Sequence, residues 1–381
     1  MRLLHTSDWH FGKRFQDIDM IPLQEKFCDW LVDTVDEEKV DCVLIAGDVY
    51  DRSNPKEDAV DLLDDVLHRL SSAGASIVMI SGNHDSAERL NFGTRFMTGG
   101  GLHVRTERRD LSVVADPVVI TGKDGHEVEI LPLPYLDPDR VAVTEGLQRN
   151  HETVLQTVID NQKARLRDPA RAIAMAHAFV RGGSESESER ILAIGGSGAV
   201  RSDLFDGFGY VALGHLHKPQ QIGGDTIVYS GTPMPYSFSE NHPKSVRIID
   251  VGSAGIRHEK IPCSGGRDVV TISDTLNNVL TKGKYDSHAQ SFVRVRLTDK
   301  NFQIGAMESV RKRFPHILVL EQEAMSNVGS FNAEQLQTIA QRSKEEVVNA
   351  YVEETWPDGL TKSGRDLING VMNSTLKGDE A

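Results

Sequence analysis

Apolar and polar positions fall into a repeating pattern over the first 260 residues. Short apolar runs, many of them β-branched, predict buried strands: MRLLH at 1–5, DCVLIA at 41–46, SIVMI at 76–80, RAIAMAH at 171–177, GYVAL at 209–213 and DTIVYS at 225–230. Helical patterns lie between the first three. In 22–35, Leu23, Phe27, Trp30, Leu31 and Val35 recur at intervals of three and four, and in 56–70 so do Leu63, Val66, Leu67 and Leu70. Alternating strands and helices predict an α/β fold built in layers. Apolar runs from Val246 to Ile261, broken by Gly252 and Gly255, predict a hairpin that closes this part.

The pattern then changes. PCSGGRD at 262–268 reads as a linker, and beyond it VVTI and FVRVRL alternate with helix candidates, which predicts a small α+β domain. Residues 331–355 fit a helix with Leu336, Ile339, Val347 and Tyr351 on one side, ended by WPDG. Leu360, Leu367, Ile368, Val371 and Met372 mark a second amphipathic stretch. Helices this short are marginal in water, so they are expected to dock on this chain or on a partner. The predicted organisation is a first domain over 1–264, an α+β domain over 265–325 and C-terminal helices over 326–381.

Composition narrows the class. With 39% hydrophobic and 26% charged residues and no run of eighteen apolar positions, the chain reads as globular without a membrane span. MRLLHTSDWH carries no signal-peptide pattern, so a cytoplasmic location is expected. Cys28, Cys42 and Cys263 form no CxxC pair, which disfavours a disulfide framework or a zinc ribbon. A net charge of −14 counts against a polyanionic partner for the chain as a whole. Local patches set the attraction, however, and 265–321 holds nine Lys and Arg against six Asp and Glu. SESESER at 184–190 reads as a polar loop.

The strand candidates end in polar residues of one chemical kind. LLHTSDWHFG offers Asp8 and His10, VLIAGDVYD offers Asp48 and Asp51, VMISGNHD offers Asn83, His84 and Asp85, AMAHAF offers His177, and VALGHLH offers His215 and His217. In an open α/β sheet the carboxyl ends of strands form the ligand crevice, so these residues are expected to converge. Carboxylate, amide and imidazole together suit Mn²⁺, Fe²⁺ or Zn²⁺. Buried acids without cations would repel, and seven ligands with one bridging carboxylate suit two ions better than one. His5, His103 and His242 lack such context and read as structural.

DWH, GDVYD, GNHD, AH and GHLH, in this order, resemble the motifs of the calcineurin-like metallophosphoesterases. GNHDSAERL, SESER and YSGTPMPYSFSE resemble, within them, the SbcD-type nuclease subunits, bacterial relatives of the Mre-type double-strand-break repair nucleases. The resemblance covers about the first 260 residues by motif and the remainder by layout. It implies a β-sandwich flanked by helices, followed by the α+β cap and the C-terminal helices.

It also implies two divalent ions, Mn²⁺ foremost, one held by Asp8, His10, Asp48 and His217 and the other by Asp48, Asn83, His177 and His215. His84 then faces the scissile phosphate as a catalytic residue, and the Asp51 carboxylate pairs with it and favours its charged form. Mre-type relatives often carry histidine at the Asp51 position, and a loop-capping role is the alternative. The implied reaction is in-line hydrolysis of DNA phosphodiesters at duplex ends and hairpins, by exonuclease or endonuclease action, without a covalent protein intermediate.

Lys13, Arg14 and Arg89 would rim the crevice and touch backbone phosphates. The C-terminal helices would grip an SbcC-type ATPase, and a homodimer acting at the nucleoid is implied. No GxxxxGK[ST] loop occurs, so an ATP site is expected on the partner. Two other readings stay open: a phosphoesterase for small molecules or phosphoproteins with the same two-metal site, and a scaffold whose site is a relic.

Overall fold

The structure is a computed structural model that describes residues 1–107, 116–189, 198–323, 361, 363–368 and 370. The helix expected over 331–355 lies outside the described residues; within the second amphipathic stretch, 363–368 is helical. The chain divides into two compact units, Met1–Val270 with Gln290–Val293, and Thr271–Ala289 with the described residues from Arg294 onward.

The main strands of the first unit are β1 (Arg2–Thr6), β2 (Cys42–Ala46), β3 (Ser76–Ile80), β4 (Leu102–Arg105), β5 (Val118–Thr121), β6 (Glu127–Leu133), β7 (Ile173–His177), β8 (Tyr210–Gly214), β9 (Gln220–Ile222), β10 (Ile227–Tyr229), β11 (Ser245–Gly252) and β12 (Gly255–Pro262). Its long helices are α1 (Ile21–Glu37), α2 (Glu57–Ser72) and α3 (His151–Lys163). One six-stranded sheet has the order β12-β11-β1-β2-β3-β4, the other β9-β10-β8-β7-β6-β5. In the first, β1 to β4 run parallel and the β11–β12 hairpin adds antiparallel to β1. In the second, β6, β7, β8 and β10 run parallel between antiparallel edges β5 and β9.

Side-chain alternation along each strand explains the layering. Leu3, Leu44, Ala46, Val78 and Ile80 from one sheet share a buried cluster with Ile130, Ile173, Met175 and Ala212 from the other, so the sheets form a sandwich. Leu131, Leu133, Val211 and Leu213 point the other way, onto Val154, Val158 and Ile159 of α3. Each large apolar side chain so buried contributes roughly 1.5–3 kcal/mol. Strands buried on both faces read as continuous apolar runs, which is why β2 and β3 are conspicuous in the sequence.

On the outer side of the first sheet α1 and α2 pack together, with α2 against β3. Glu57 and Asp58 open α2 and Arg69 closes it, each matching the helix dipole. The predicted stripe on α1 is shifted. Leu23 and Trp30 are half-buried, whereas Gln24 is wholly buried and turns toward the functional site.

The second unit is carried by a separate three-stranded sheet in the order β13 (Val269–Asp274), β14 (Phe292–Leu297), β15 (Ile317–Gln322). Helices α4 (Leu276–Thr281) and α5 (Ala306–Arg313) pack on each other. Val279, Val295, Leu297, Val310 and Phe314 are among its buried apolar residues. Among the described residues no helix is long and apolar enough to cross a membrane.

Candidate metal centre

Each parallel strand that leads into the site ends one to three residues before a polar side chain or on one. Beyond Thr6 come Asp8 and His10, beyond Ala46 comes Asp48, and beyond Ile80 come Asn83 and His84. His177 is the last residue of β7, and His215 and His217 follow β8. Two loops are zipped together by backbone hydrogen bonds, Asp8 N to Gly47 O at 3.0 Å, His10 N to Asp48 O at 3.0 Å and Phe11 N to Val49 O at 2.9 Å.

That zipper holds unusual backbone. Asp8, His10, Asp48 and His215 have φ of +53°, +48°, +48° and +105°. Such values are uncommon without glycine, and strained sites of this kind cost on the order of 1–3 kcal/mol each. Neighbouring glycines supply the room. A Cβ at Gly82 would lie 2.1 Å from Asp48 Oδ1, and one at Gly214 would lie 1.9 Å from Ala46 O. Gly82→Ala is therefore expected to displace the Asp48 carboxylate and sharply reduce metal uptake in a folded protein. Elemental analysis of the purified variant checks this, and unchanged content would show that the Asp48 position is not required.

Among the described residues, three groups bring ligand atoms within 4.8 Å of one another: Asp8, His10 and His217; His10, Asp48 and His84; Asp8, Asp48 and His177. Asp48 is central. Its Oδ1 accepts from His84 N at 2.9 Å, and its Oδ2 lies 3.4 Å from His177 Nε2 and 3.8 Å from His10 Nε2. Asp8 accepts from His215 N at 3.0 Å.

The proton bookkeeping exposes converging lone pairs. His177 Nδ1 is 2.9 Å from the carbonyl of Ala46, which only accepts, so that nitrogen carries hydrogen. Its Nε2 then faces Asn83 Oδ1 at 2.9 Å and Asp48 Oδ2, two further acceptors. Likewise His10 Nε2 stands 3.2 Å from His217 Nε2, while the buried His10 Nδ1 has no hydrogen-bond partner. His215 Nδ1 lies 3.2 Å from Asn83 Oδ1.

Electrostatics follow from this crowding. Burial pushes the Asp8 carboxyl up to about 8, with His177 opposing and Asp48 adding to the rise. Burial also works against charge on Asp48, yet His177 and His84 outweigh it and hold Asp48 well below the usual carboxylate range. Burial works against charge on His177, but the neighbouring Asp48 and Asp8 carboxylates and the Ala46 carbonyl together outweigh it and raise the imidazole to about 9. Acceptors facing acceptors and buried acids call for positive charge, and the residues present fit divalent cations with O and N ligands.

The remaining expected residues divide. His84 is half-buried, its ring edge-on to His10 at 4.7 Å, with Nδ1 2.8 Å from the main-chain carbonyl of Asp51. This corrects the expected carboxylate–imidazole pair. Asp51 N donates to Phe11 O, and the Asp51 carboxylate turns instead to Lys13 Nζ at 2.7 Å. Lys13 thereby sits against the site, 5.6 Å from the ring of Tyr236. Arg14 and Arg89 are exposed; Arg14 donates to Asp17 O at 2.6 Å, and Arg89 bonds Asn54. His5 is buried between Tyr210 Oη and Leu213 O, each at 3.1 Å, as a structural histidine. His103 lies half-buried on β4, and His242 stands behind His217, 3.4 Å from its carbonyl.

Several residues position the site without having been assigned a ligand or catalytic role from the sequence, Asp85 of GNHD among them. Gln24 Nε2 donates to Trp9 O, His10 O and Tyr236 Oη at 3.2, 2.8 and 2.9 Å, bracing the first loop from α1. Asp85 accepts from Val49 N, Tyr50 N and Gly82 N at 3.2, 2.9 and 2.8 Å, tying the Asp48 loop to the Asn83 loop. Glu189 Oε1 accepts from His217 N at 2.6 Å, and Glu240 lies behind the His217 ring. A cleft of about 210 Å³ opens beside Asn83, lined among others by Ser86, Glu107, Tyr135 and Arg140.

Comparison with known proteins places this geometry. The calcineurin-like phosphoesterase model matches residues 1–219, and the SbcD C-terminal model, described as the type 5 capsule protein repressor C-terminal domain, matches residues 266–355. Among solved structures, a dimetal phosphatase from Danio rerio is similar at 13% identity over 69% of this chain and 99% of that chain, with a TM-score of 0.39. A protein from Thermus thermophilus is similar at 10% identity over 68% of this chain and 98% of that chain, with a TM-score of 0.37. Because the first of these models spans more than half of the residues, the chain belongs to the calcineurin-like phosphoesterase family, a family of metal-dependent hydrolases, and it carries the SbcD-type C-terminal domain.

Proposed function

We propose that this chain is the nuclease subunit of an ATP-dependent DNA repair complex, hydrolysing phosphodiesters at duplex ends and hairpins. The carrying observation is the convergence of carboxylate and imidazole lone pairs on Asp48, with His84 beside them. Asp8, His10, Asp48 and His217 would hold one ion and Asp48, Asn83, His177 and His215 the other, Mn²⁺ being the foremost choice. Two such ions supply nucleophile activation and neutralise charge building on the phosphate oxygens.

The chain's own groups do the rest. His84 Nδ1–H donates to the Asp51 carbonyl, so Nε2 is the nitrogen able to hand a proton to the leaving oxygen. Asp51 holds Lys13 at the rim, where its ammonium can receive a backbone phosphate, with Arg14 and Arg89 further out. The SbcD-type C-terminal match supports the assignment of the domain over 265–325 as a DNA-guiding cap and of 326–381 as the segment that docks an SbcC-type ATPase, in a homodimeric assembly.

The test is Mn²⁺-dependent cleavage of end-labelled blunt and hairpin duplexes beside a small phosphodiester, with and without the ATPase. Cleavage of both DNA substrates, stimulated by the ATPase with ATP, is the expected result. Hydrolysis of the small phosphodiester with DNA left intact would replace this reading by that of a small-molecule phosphoesterase.

A further inference from the structure

His217 can offer Nε2 to an ion only if its proton sits on Nδ1, and the structure contains a device that decides this. Ser188 Oγ lies 2.7 Å from His217 Nδ1 and donates its single hydrogen to Glu240 Oε1, itself 3.3 Å from Nδ1. The donors therefore run one way, from the imidazole N–H to the serine hydroxyl to the carboxylate. Glu240 is wholly buried and beyond the reach of substrate. Its charge is held in place by Lys244 Nζ, Thr232 Oγ1 at 2.9 Å and Tyr236 N at 3.1 Å. Lys244 also donates to the His217 carbonyl at 3.2 Å, so ring and backbone are held by one network.

Among the described residues, the two imidazoles of the other ion position have no such charged backing. His177 Nδ1 rests on the neutral Ala46 carbonyl, and His215 Nδ1 faces the Asn83 amide oxygen. A buried acid and a buried lysine are costly to keep, often more so than an apolar pair, which argues for a specific use. We propose that Glu240, acting through Ser188, is a positioning residue that fixes the tautomer of His217, so that the ion at His10 and His217 depends on it and the ion at Asn83, His177 and His215 does not. This rests on the two-metal reading above.

Glu240→Gln tests it sharply. Lys244 and Thr232 donate to Oε2, Ser188 and Tyr236 N to Oε1, so the ammonium favours the amide oxygen at the Oε2 place and leaves NH₂ toward Ser188, with the bond from Tyr236 N lost; the donors then run backwards and place the proton on His217 Nε2. Calorimetric titration of the full chain with Mn²⁺ is expected to show one of two ions weakened by about 10- to 100-fold, the usual range for such outer partners. In a His177→Ala background, where one ion remains, the same factor should appear on that ion. Nitrogen NMR of the metal-free chain should show Nδ1–H at His217 in the wild type and Nε2–H in Glu240→Gln, a change that a merely structural role would not produce.

An unchanged tautomer, or two unchanged Mn²⁺ affinities in the folded variant, would overturn the inference. So would equal weakening of both ions. Should Glu240→Gln fail to fold, Ser188→Ala decides: weakening of one ion supports the relay, and no change removes it. A wild type that takes up no Mn²⁺ would instead defeat the two-metal reading, and the tautomer would then decide this one alone.

Discussion

Replacing His84 with glutamine is expected to lower turnover of a DNA phosphodiester by about 10²- to 10⁴-fold, the range lost when a positioned acid is removed. Metal uptake should stay at two ions. The difference follows from how His84 is attached. Its contact with Asp48 Oδ1 is made by the backbone N–H, which glutamine keeps, while the ring bonds the Asp51 carbonyl through Nδ1. Glutamine can still donate a hydrogen bond but cannot release a proton. The deficit should therefore shrink with a nitrophenyl phosphodiester, whose leaving group needs no protonation. Single-turnover rates on both substrates, beside elemental analysis, check this. A loss smaller than tenfold on DNA would remove His84 from the chemistry.

Asp48→Asn should have the broader effect. The amide can preserve the bond from His84 N but removes the charge that lies within 3.9 Å of His10, His84 and His177. Because Asp48 serves both proposed ions, uptake should fall from two toward none and turnover to background. His177→Ala touches one position and should cost one ion. Breaking a buried charged pair costs roughly 3–5 kcal/mol, so the metal-free Asp48→Asn protein is also expected to melt earlier. Elemental analysis and thermal melting of the three proteins distinguish these patterns; two ions retained at wild-type affinity in Asp48→Asn would end the shared-carboxylate arrangement.

The α/β character of the chain was legible because its central strands are buried on both faces. SIVMI coincides with β3, and each of the other five predicted strands overlaps an observed one, with ends offset by a residue or two. Among the main strands of the first unit, β4, β5, β6 and the three-residue edge strand β9 escaped notice. In β4 the run LHVR carries histidine and arginine, and in β5 Val119 is exposed at the sheet edge, so neither presents a continuous apolar signal. β6 opens with EVE and includes Pro132, which breaks the pattern although its last four residues are buried. In the second unit β15, which follows PH directly, is not among the strand segments expected from the sequence.

At the site, residues delivered by strand ends could be found in the sequence, because polar groups interrupt apolar runs at the same place in each strand. Their supports could not. Gln24 sits inside a helical stripe and acts on main-chain carbonyls, a contact that side-chain chemistry does not advertise. Glu240 and its partner Ser188 both lie in quoted motifs, but they are 52 positions apart and neither motif reveals that they pair. The Asp51 carboxylate misled for a related reason: Lys13 competes for it, and the order of residues does not reveal that competition.

The three main-chain bonds to Asp85 have a mechanical result. They clamp the segments bearing Asp48 and Asn83 into one stiff wall, so the spacing between those two side chains is not free to adjust. Were the proposed ions bound, a cation of different radius would have to be accommodated from the opposite side, by small rotations of the imidazoles at the ends of β7 and β8.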